Sequence, residues 1–397
     1  MNKKLVLAFS GGLDTSFCVK YLKEEKGFDV YTAIVNTGGF SEEELKKIEE
    51  KAYRLGAVKH VTIDVTEEYY QKCVRYMVFG NILRNNTYPI SVSSERVFQA
   101  IATIDYAKEI GAGYIAHGST GAGNDQVRFD LTFQVLAPEI EIVTPIRDLL
   151  LSRQEEIDFL KKHGVEDDYL KMQYSVNQGL WGTSVGGKET LTSSKGLPSE
   201  AYPSQLEASE EKLIELGFEK GELKTIDGKS YENGSKTIKA LNEIASKFAI
   251  GRDIHVGDTI IGIKGRVGFE AAAPMIIIKA HHLLEKHTLS KWQLYWKEQL
   301  ANWYGMFLHE ALYHEPVMRN METFLESTQA NVTGKVKVKL LPYRFELQGI
   351  ESEHDLMNSS FGQYGETVKA WTGDDVKGFT KVLSNSLKIY NSVNKKI

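Results

Sequence analysis

Over residues 1–165 the hydrophobic and polar positions follow two alternating rhythms. Short apolar runs at Leu5–Phe9, Val30–Asn36, His60–Asp64, Tyr114–His117 and Ile140–Pro145 have the length and residue types of strands. Between them, Thr15–Glu25, Ser41–Leu55 and Val97–Ile110 space their apolar residues at three and four, the period of a helix with one buried face. Ser41 with Glu44, and Ser152 with Glu155 ahead of a helix to His163, are spaced as capping boxes, while Gly56 follows its helix as a stop. Strands that alternate with helices predict an α/β fold with a doubly wound parallel sheet.

The alternation ends near residue 165. Residues 173–206 are rich in Gly, Ser, Thr and Pro and read as one long irregular loop, of the kind that usually carries function. Beyond Glu207 the pattern predicts an α+β unit with a helix at Lys236–Lys247, strands at Thr259–Lys264 and Met275–Lys279, and helical stretches from Leu289 to Gln329. Val332–Leu341 and Tyr343–Gly349 complete it as a hairpin. His281 and His282 adjoin the second of those strands and receive no catalytic role; Trp292, Trp296 and Trp303 recur at helical spacing and are expected in a core or an interface. A last helix, after Asp374 and Asp375, sets Val376, Phe379, Leu383, Leu387, Tyr390 and Val393 on one face with no domain of its own to cover. The expected divisions are residues 1–165, 166–360 and 361–397.

Composition narrows the class. The chain has 397 residues, 42% of them hydrophobic, enough for a large core. A formal charge of −5 supplies no basic field for nucleic acid, and no run is apolar for long enough to span a membrane. The N-terminal apolar run stops too soon for a signal peptide, which predicts a first strand in a cytoplasmic protein. Cys18 and Cys73 lack metal-ligand or disulfide spacing and are expected as small buried hydrophobes.

Candidate chemistry enters at two points. Ala8-Phe9-Ser10-Gly11-Gly12-Leu13-Asp14-Thr15-Ser16 lies between the first strand and the first helix. Paired glycines let the backbone close on an anion, hydroxyls supply donors, and the new helix offers free amides: a phosphate cradle. Gly12 is expected to need a conformation or clearance that a Cβ denies. The loop has neither the lysine and spacing of a Walker loop nor the GxGxxG of a dinucleotide fold. The second point is the run from His117 to Phe129, at the end of a strand, where open α/β sheets bind ligands. Its carboxamides and Asp125 suit an ammonium and Arg128 suits a carboxylate, which points to amino-acid substrates. A turn that binds nothing is the plainer alternative for each.

AFSGGLDTS resembles the PP-loop of ATP pyrophosphatases, and with GSTGAGNDQVRF and the run Tyr174–Gly182 the chain resembles the argininosuccinate synthases along most of its length. The resemblance implies a PP-loop nucleotide-binding domain, a synthetase domain and a helical arm that interlocks a homotetramer. It implies ATP with Mg2+ on its phosphates, no metal site from protein alone, and citrulline and aspartate as substrates, joined through a citrullyl-adenylate in arginine biosynthesis. Ala8, Phe9, Ser10, Gly11, Gly12, Leu13, Asp14, Thr15 and Ser16, with Val35 and Gly118, would bind ATP; Thr120, Asn124 and Asp125 would hold aspartate. Tyr88, Ser93, Asn124, Arg128, Ser175 and Ser184 would line the citrulline site, and Arg96 matches an arginine of the family. Ser10, Asp14, Thr15, Ser16 and Asp125 would serve catalysis.

Four positions depart from the family pattern: Ala122 for a lysine, Asn177 for an acid, Gly257 for a glutamate and Phe269 for a tyrosine. The last two concern the amino-acid end of citrulline and raise an alternative, the same chemistry on an N-acylated (N-succinyl) citrulline, with Gly257, Phe269 and Lys188 around the acyl group. Among rivals, a tRNA-thiolating or amide-forming relative would need a cysteine pair or a glutaminase, which the sequence lacks. A non-enzymatic ATP or AMP sensor would release no pyrophosphate.

Overall fold

The computed structural model describes residues 3–167, 174–362 and 364–394. The chain opens with β1 (Lys4–Ala8), α1 (Leu13–Glu24), β2 (Asp29–Asn36), α2 (Glu42–Leu55) and β3 (Lys59–Asp64). Short helix α3 (Thr66–Tyr69) passes through a π-helical turn at Tyr70–Val74 into α4 (Arg75–Phe79). There follow α5 (Ser91–Glu109), β4 (Tyr114–Ala116), α6 (Asp125–Leu136), β5 (Glu141–Val143), α7 (Pro145–Leu149) and α8 (Arg153–Lys162). The five strands form one parallel sheet in the order β3-β2-β1-β4-β5.

Both faces of this sheet are covered, as a parallel sheet requires. In the central strand Leu5 and Leu7 face a cluster with Phe17 and Leu22 of α1, while Val6 points the other way into Ala100, Ile104, Phe129 and Phe133. Strand order reverses between β1 and β4, so the carboxyl ends of these two strands border the crevice where open α/β sheets bind ligands. Both expected capping boxes form at α2 and α8, and Gly56 closes α2 at φ +104°.

Beyond Tyr174 the segment expected to be irregular carries a hairpin, β6 (Ser175–Gly179) and β7 (Gly182–Gly186); Gln173, where it was expected to begin, lies outside the described residues. Then come β8 (Lys212–Glu219), β9 (Glu222–Ile226), β10 (Lys229–Ser230), α9 (Gly234–Ala245), β11 (Arg252–Asp258) and β12 (Lys264–Glu270). α10 (Ala272–Thr288), α11 (Lys291–His309), α12 (Pro316–Ser327), β13 (Gly334–Leu341) and β14 (Arg344–Glu351) follow. The strands form two antiparallel sheets, β10-β9-β8-β13-β14 and β11-β12-β7-β6.

Two expected strands are corrected. Of Thr259–Lys264, only Lys264 is in a strand, as the first residue of β12; the rest is the turn joining β11 to β12, and its Ile261 and Ile263 are exposed. Met275–Lys279 lies inside α10: Ile276, Ile277 and Ile278 are all buried, so the run shows no period and only the length of the element separates helix from strand. His281 and His282 therefore sit on a helix.

One hydrophobic cluster runs from Val35 and Tyr69 through Trp181 to Ile276 and Val338, so the parallel sheet and the later elements share a core. Trp292, Trp296 and Trp303 lie outside it, exposed on α11. The C-terminal arm is two helices, α13 (Gly373–Leu383) and α14 (Asn385–Val393), whose Phe379, Leu387, Tyr390 and Val393 are exposed. Cys18 and Cys73 are buried free thiols.

Candidate functional site

The loop after β1 is held mainly by its own backbone. Gly11 adopts φ +76°, where a Cβ would also approach the Ile48 side chain to 3.2 Å. Gly12 has an ordinary extended backbone (φ −71°), and a Cβ there would meet only the Ser10 hydroxyl at 3.5 Å. The conformational demand expected at Gly12 thus falls on Gly11. Gly12 is the N-cap of α1 and offers no capping side chain. Its carbonyl accepts from the Ser16 amide at 3.0 Å and the Ser16 hydroxyl at 2.6 Å. The first amides of α1 have no acceptor within the helix, which makes this end attractive to anions. Lys51 of α2 donates to the Gly11 carbonyl at 2.8 Å, and Ser10 and Thr15 hydroxyls stand 3.3 Å apart.

Gly118, just past β4, faces this loop so closely that a Cβ would lie 3.1 Å from Thr15 Cγ2. Ala8, Phe9 and Leu13 support the loop from the sheet and helix, and Val35 is buried on the neighbouring strand β2. Asp14 and Glu156 of α8 form a hydrogen-bonded carboxyl pair. Burial raises the Asp14 pKa; burial, the Asp14 charge and the shared hydrogen bond push Glu156 up to about 8.

Across the crevice, the loop from Gly118 to Asn124 rests on a polar support. The Ser119 amide donates to His117 Nδ1 at 3.1 Å, which leaves Nε2–H to donate to Asp130 at 2.9 Å. Arg147 donates to the other Asp130 oxygen at 2.6 Å, and the Gln126 carboxamide donates to the Gly121 and Gly123 carbonyls. Thr120 is exposed at the loop's tip. Asn124 accepts from the Ile260 amide at 2.8 Å through Oδ1, which leaves its NH2 group to donate.

Asp125 begins α6 between two guanidiniums: Arg96 Nε donates to one oxygen at 2.9 Å and Arg128 Nη1 to the other at 2.8 Å. Burial works against its ionisation, but Arg96 and Arg128 outweigh it and hold the pKa at about 2. Its side chain remains 38% exposed, so the oxygens keep an open edge. Arg96 also donates to Gln99 and, at 3.2 Å, to Asn177 of β6.

Sequence reasoning missed Glu95. It lies buried 3.8 Å from Arg96 and accepts from the Thr37 hydroxyl at 2.5 Å. Burial raises its pKa to about 8 against the pull of Arg96 and Thr37. A Cβ at Gly179 would overlap the Glu95 carboxyl at 2.0 Å, so glycine is what lets the hairpin dock on α5. Asn177 thus meets an arginine that has a carboxyl group next to it in sequence.

The remaining expected residues converge only in part. Tyr88 is buried, with its ring 5.2 Å from His255 and 5.4 Å from Phe269. Ser184 of β7 pairs with both Phe269 and Asn177, so it joins the same wall; Ser175 pairs with Gly186 at the exposed end of the hairpin. Ser93 is buried and its hydroxyl has no hydrogen-bond partner among the described residues. Gly257 does not open free space: a Cβ there would lie 2.6 Å from His255 Nε2 and 3.4 Å from Asn85 Nδ2, so an imidazole fills the room. Phe269 is fully packed and Lys188 is exposed just beyond β7.

Three further residues, Arg84, His255 and His309, gather here without any signal in the sequence. Arg128 donates twice to the His309 carbonyl, at 3.2 and 3.0 Å, and Arg84 donates to the Asp258 carbonyl at 3.2 Å. Burial and the Arg84 charge lower the His255 pKa to about 4; burial, Arg128, Arg84 and His255 lower that of His309 to about 2.

An anion cradle and a polar loop thus face each other at the switch point of a doubly wound sheet, the arrangement of an α/β nucleotide-binding enzyme. Residues 4–166 match the family model described as the arginosuccinate synthase N-terminal HUP domain, and residues 174–390 match the arginosuccinate synthase C-terminal domain. The chain is 37% identical to the argininosuccinate synthase of Methanocaldococcus jannaschii over 369 residues, covering 92% of this chain and 93% of that protein. It is 35% identical to that of Xanthomonas axonopodis pv. citri, over 99% of this chain and 96% of the relative, and 36% identical to that of Pyrococcus furiosus, over 98% and 94%. The chain belongs to the argininosuccinate synthase family, and is a ligase that forms a carbon–nitrogen bond with the use of ATP. Among the described residues no helix is long and apolar enough to cross a membrane.

Proposed function

We propose that this chain joins the ureido carbon of a citrulline-type acceptor to the amine of aspartate, with ATP cleaved to AMP and pyrophosphate. The observation that carries the reading is the meeting of the Ala8–Ser16 cradle with the Gly118–Arg128 loop across the β1/β4 crevice. A ureido carbonyl is a poor electrophile, so its oxygen must first become a leaving group. That oxygen attacks the α phosphorus, the Pα–O bond to the β phosphate breaks, and pyrophosphate departs. The aspartate amine then attacks the activated carbon, the C–O bond breaks and AMP leaves.

In this scheme the amides of Gly11, Gly12 and the first turn of α1, with Ser10, Thr15 and Ser16, hold the departing phosphates. Asn124 and Thr120 hold aspartate beside Asp125, whose open edge accepts the ammonium while Arg96 and Arg128 keep it ionised. Tyr88, Ser93, Arg128, Ser175 and Ser184 line the acceptor site. Catalysis rests on positioning and charge rather than on a covalent enzyme nucleophile. The neighbouring Asp14 and Glu156 carboxyls, each raised in pKa by burial, crowd negative charge that a cation would relieve, so Mg2+ on the ATP phosphates would fit beside Asp14 and neutralise the leaving pyrophosphate.

The uncovered apolar face of α13 and α14 supports a homotetramer in which the arm packs on a neighbouring subunit. Light scattering on the intact chain is expected to give four copies; a stable monomer contradicts it. For the reaction, pyrophosphate release is measured with ATP and aspartate, with and without a ureido acceptor. Release that requires the acceptor supports the reading, and none under any combination leaves only a nucleotide-binding protein.

A further inference from the structure

Glu95 has no part in the proposed chemistry, yet it sits where three segments of the site meet. Its carboxyl is 1% exposed and accepts from the hydroxyl of Thr37, just after β2, at 2.5 Å. The Thr37 carbonyl in turn accepts from the Leu180 amide at 3.0 Å, in the turn between β6 and β7. The packing leaves no room for side chains: a Cβ at Gly179 would overlap the Glu95 carboxyl, and one at Gly39 would overlap the Gln178 carbonyl. Trp181 fastens the same turn to the segment ahead of α5, its indole donating to the Pro89 carbonyl at 2.9 Å.

This joint bears on the support of the proposed aspartate site. Arg96, next along α5, lies 3.8 Å from Glu95 and holds two groups at once, Asp125 at 2.9 Å through Nε and Asn177 at 3.2 Å through Nη2. Asn177 is two residues ahead of Gly179 on β6, so the depth at which the hairpin docks on Glu95 sets where Asn177 meets Arg96. Asp125 also accepts from Arg128 at 2.8 Å, and Arg128 is itself anchored on the His309 carbonyl. A shift of Arg96 would therefore be felt at Asp125, because its second partner is held in place by another element.

We propose that Glu95 is a positioning residue for aspartate: it locks the β6–β7 hairpin against α5 and the end of β2, and so holds Arg96 on Asp125 in the geometry that binds this substrate. The proposal rests on the reading of Asp125 as part of the aspartate site and adds to it a residue that touches no substrate. Burial raises the Glu95 pKa to about 8, so near neutral pH the carboxyl is mostly protonated and glutamine matches it in shape and charge. Alanine removes the acceptor that Thr37 uses and opens a void beneath Gly179.

The test is steady-state pyrophosphate release with ATP, citrulline and aspartate, for the intact chain, Glu95→Ala, Glu95→Gln, Gly179→Ala and the double variant Glu95→Ala/Gly179→Ala. Glu95→Ala is expected to raise KM for aspartate ~10-fold and to leave KM for ATP within ~3-fold, with Glu95→Gln recovering most of the loss. Gly179 has no left-handed φ, and the atoms nearest a Cβ there all belong to the Glu95 carboxyl. Gly179→Ala alone is therefore expected to raise KM for aspartate by a similar ~10-fold, while in the double variant the methyl enters the space the carboxyl left and KM stays near that of Glu95→Ala. An unchanged KM for aspartate in Glu95→Ala, or losses that simply add in the double variant, overturns the inference and leaves the reaction intact. An equal rise in KM for all three substrates marks a loosened fold and overturns it as well. Should Glu95→Ala not fold, Gly179→Ala decides: a normal KM for aspartate overturns the inference. No aspartate-dependent release from the intact chain overturns the aspartate-site reading and the inference with it.

Discussion

The phosphate cradle and the acceptor pocket solve recognition in opposite ways. The cradle is nine consecutive residues, Ala8–Ser16, and its donors are mostly backbone amides fixed by one left-handed glycine and one helix start. The acceptor pocket proposed for this chain draws Tyr88 from a turn, Ser93 from α5, Arg128 from α6, Ser184 from β7 and His255 from β11, and would work through side chains rather than backbone. Backbone recognition suits phosphate, which every ATP presents alike. Side-chain recognition can be retuned one residue at a time, because each contact comes from a separate element.

If the cradle works through charge at the helix start, Asp14→Ala is expected to have the largest effect, about 10²–10³-fold on pyrophosphate release. Far-ultraviolet circular dichroism should stay native, because Asp14 is not part of the core. Near-normal turnover would remove Asp14 from the mechanism.

The pocket side of the comparison is probed by Asp125→Asn, which leaves Arg96 and Arg128 without their common counter-charge. Discounted for its open edge, the loss is about 1–3 kcal/mol in urea unfolding. Because its folded pKa of about 2 lies below the unfolded value, Asp125 stabilises the fold above pH ~4, and that contribution fades as pH falls toward 2. An unchanged unfolding midpoint at pH 7 would show that the pair of bonds contributes nothing.

Within the cradle, Gly11→Ala is expected to destabilise by ~1 kcal/mol more than Gly12→Ala, since only Gly11 sits at positive φ. Equal urea midpoints for the two would contradict that assignment.

A last test reads the pH slope that Glu95 sets. Its folded pKa, about 8, lies above the unfolded value, so between pH ~4.3 and 8 the folded chain binds the extra proton and stability falls as pH rises. Glu95→Gln should flatten that slope and gain stability at pH 8 relative to wild type. A slope unchanged in the variant would assign it to another group, with Glu156 the next to examine.

The same contrast governs what was legible in the sequence. The five parallel strands and the phosphate loop could be read because period, glycine pair and capping boxes are local signals. Which of two adjacent glycines carries the positive φ was not, since Ile48 and the helix start decide it. The Ile276–Ile278 run was misread as a strand because burial on every side erases periodicity. Arg84, His255 and His309 could not be linked at all: the antiparallel β11–β12 pair and α11 bring together positions that no spacing rule connects.

The central claim, that the ureido oxygen attacks the α phosphorus, is tested most directly with an acceptor carrying 18O in its ureido carbonyl. Mass spectrometry of the products is expected to find one label in AMP and none in pyrophosphate. Label retained in the amino-acid product or released into water would contradict the account.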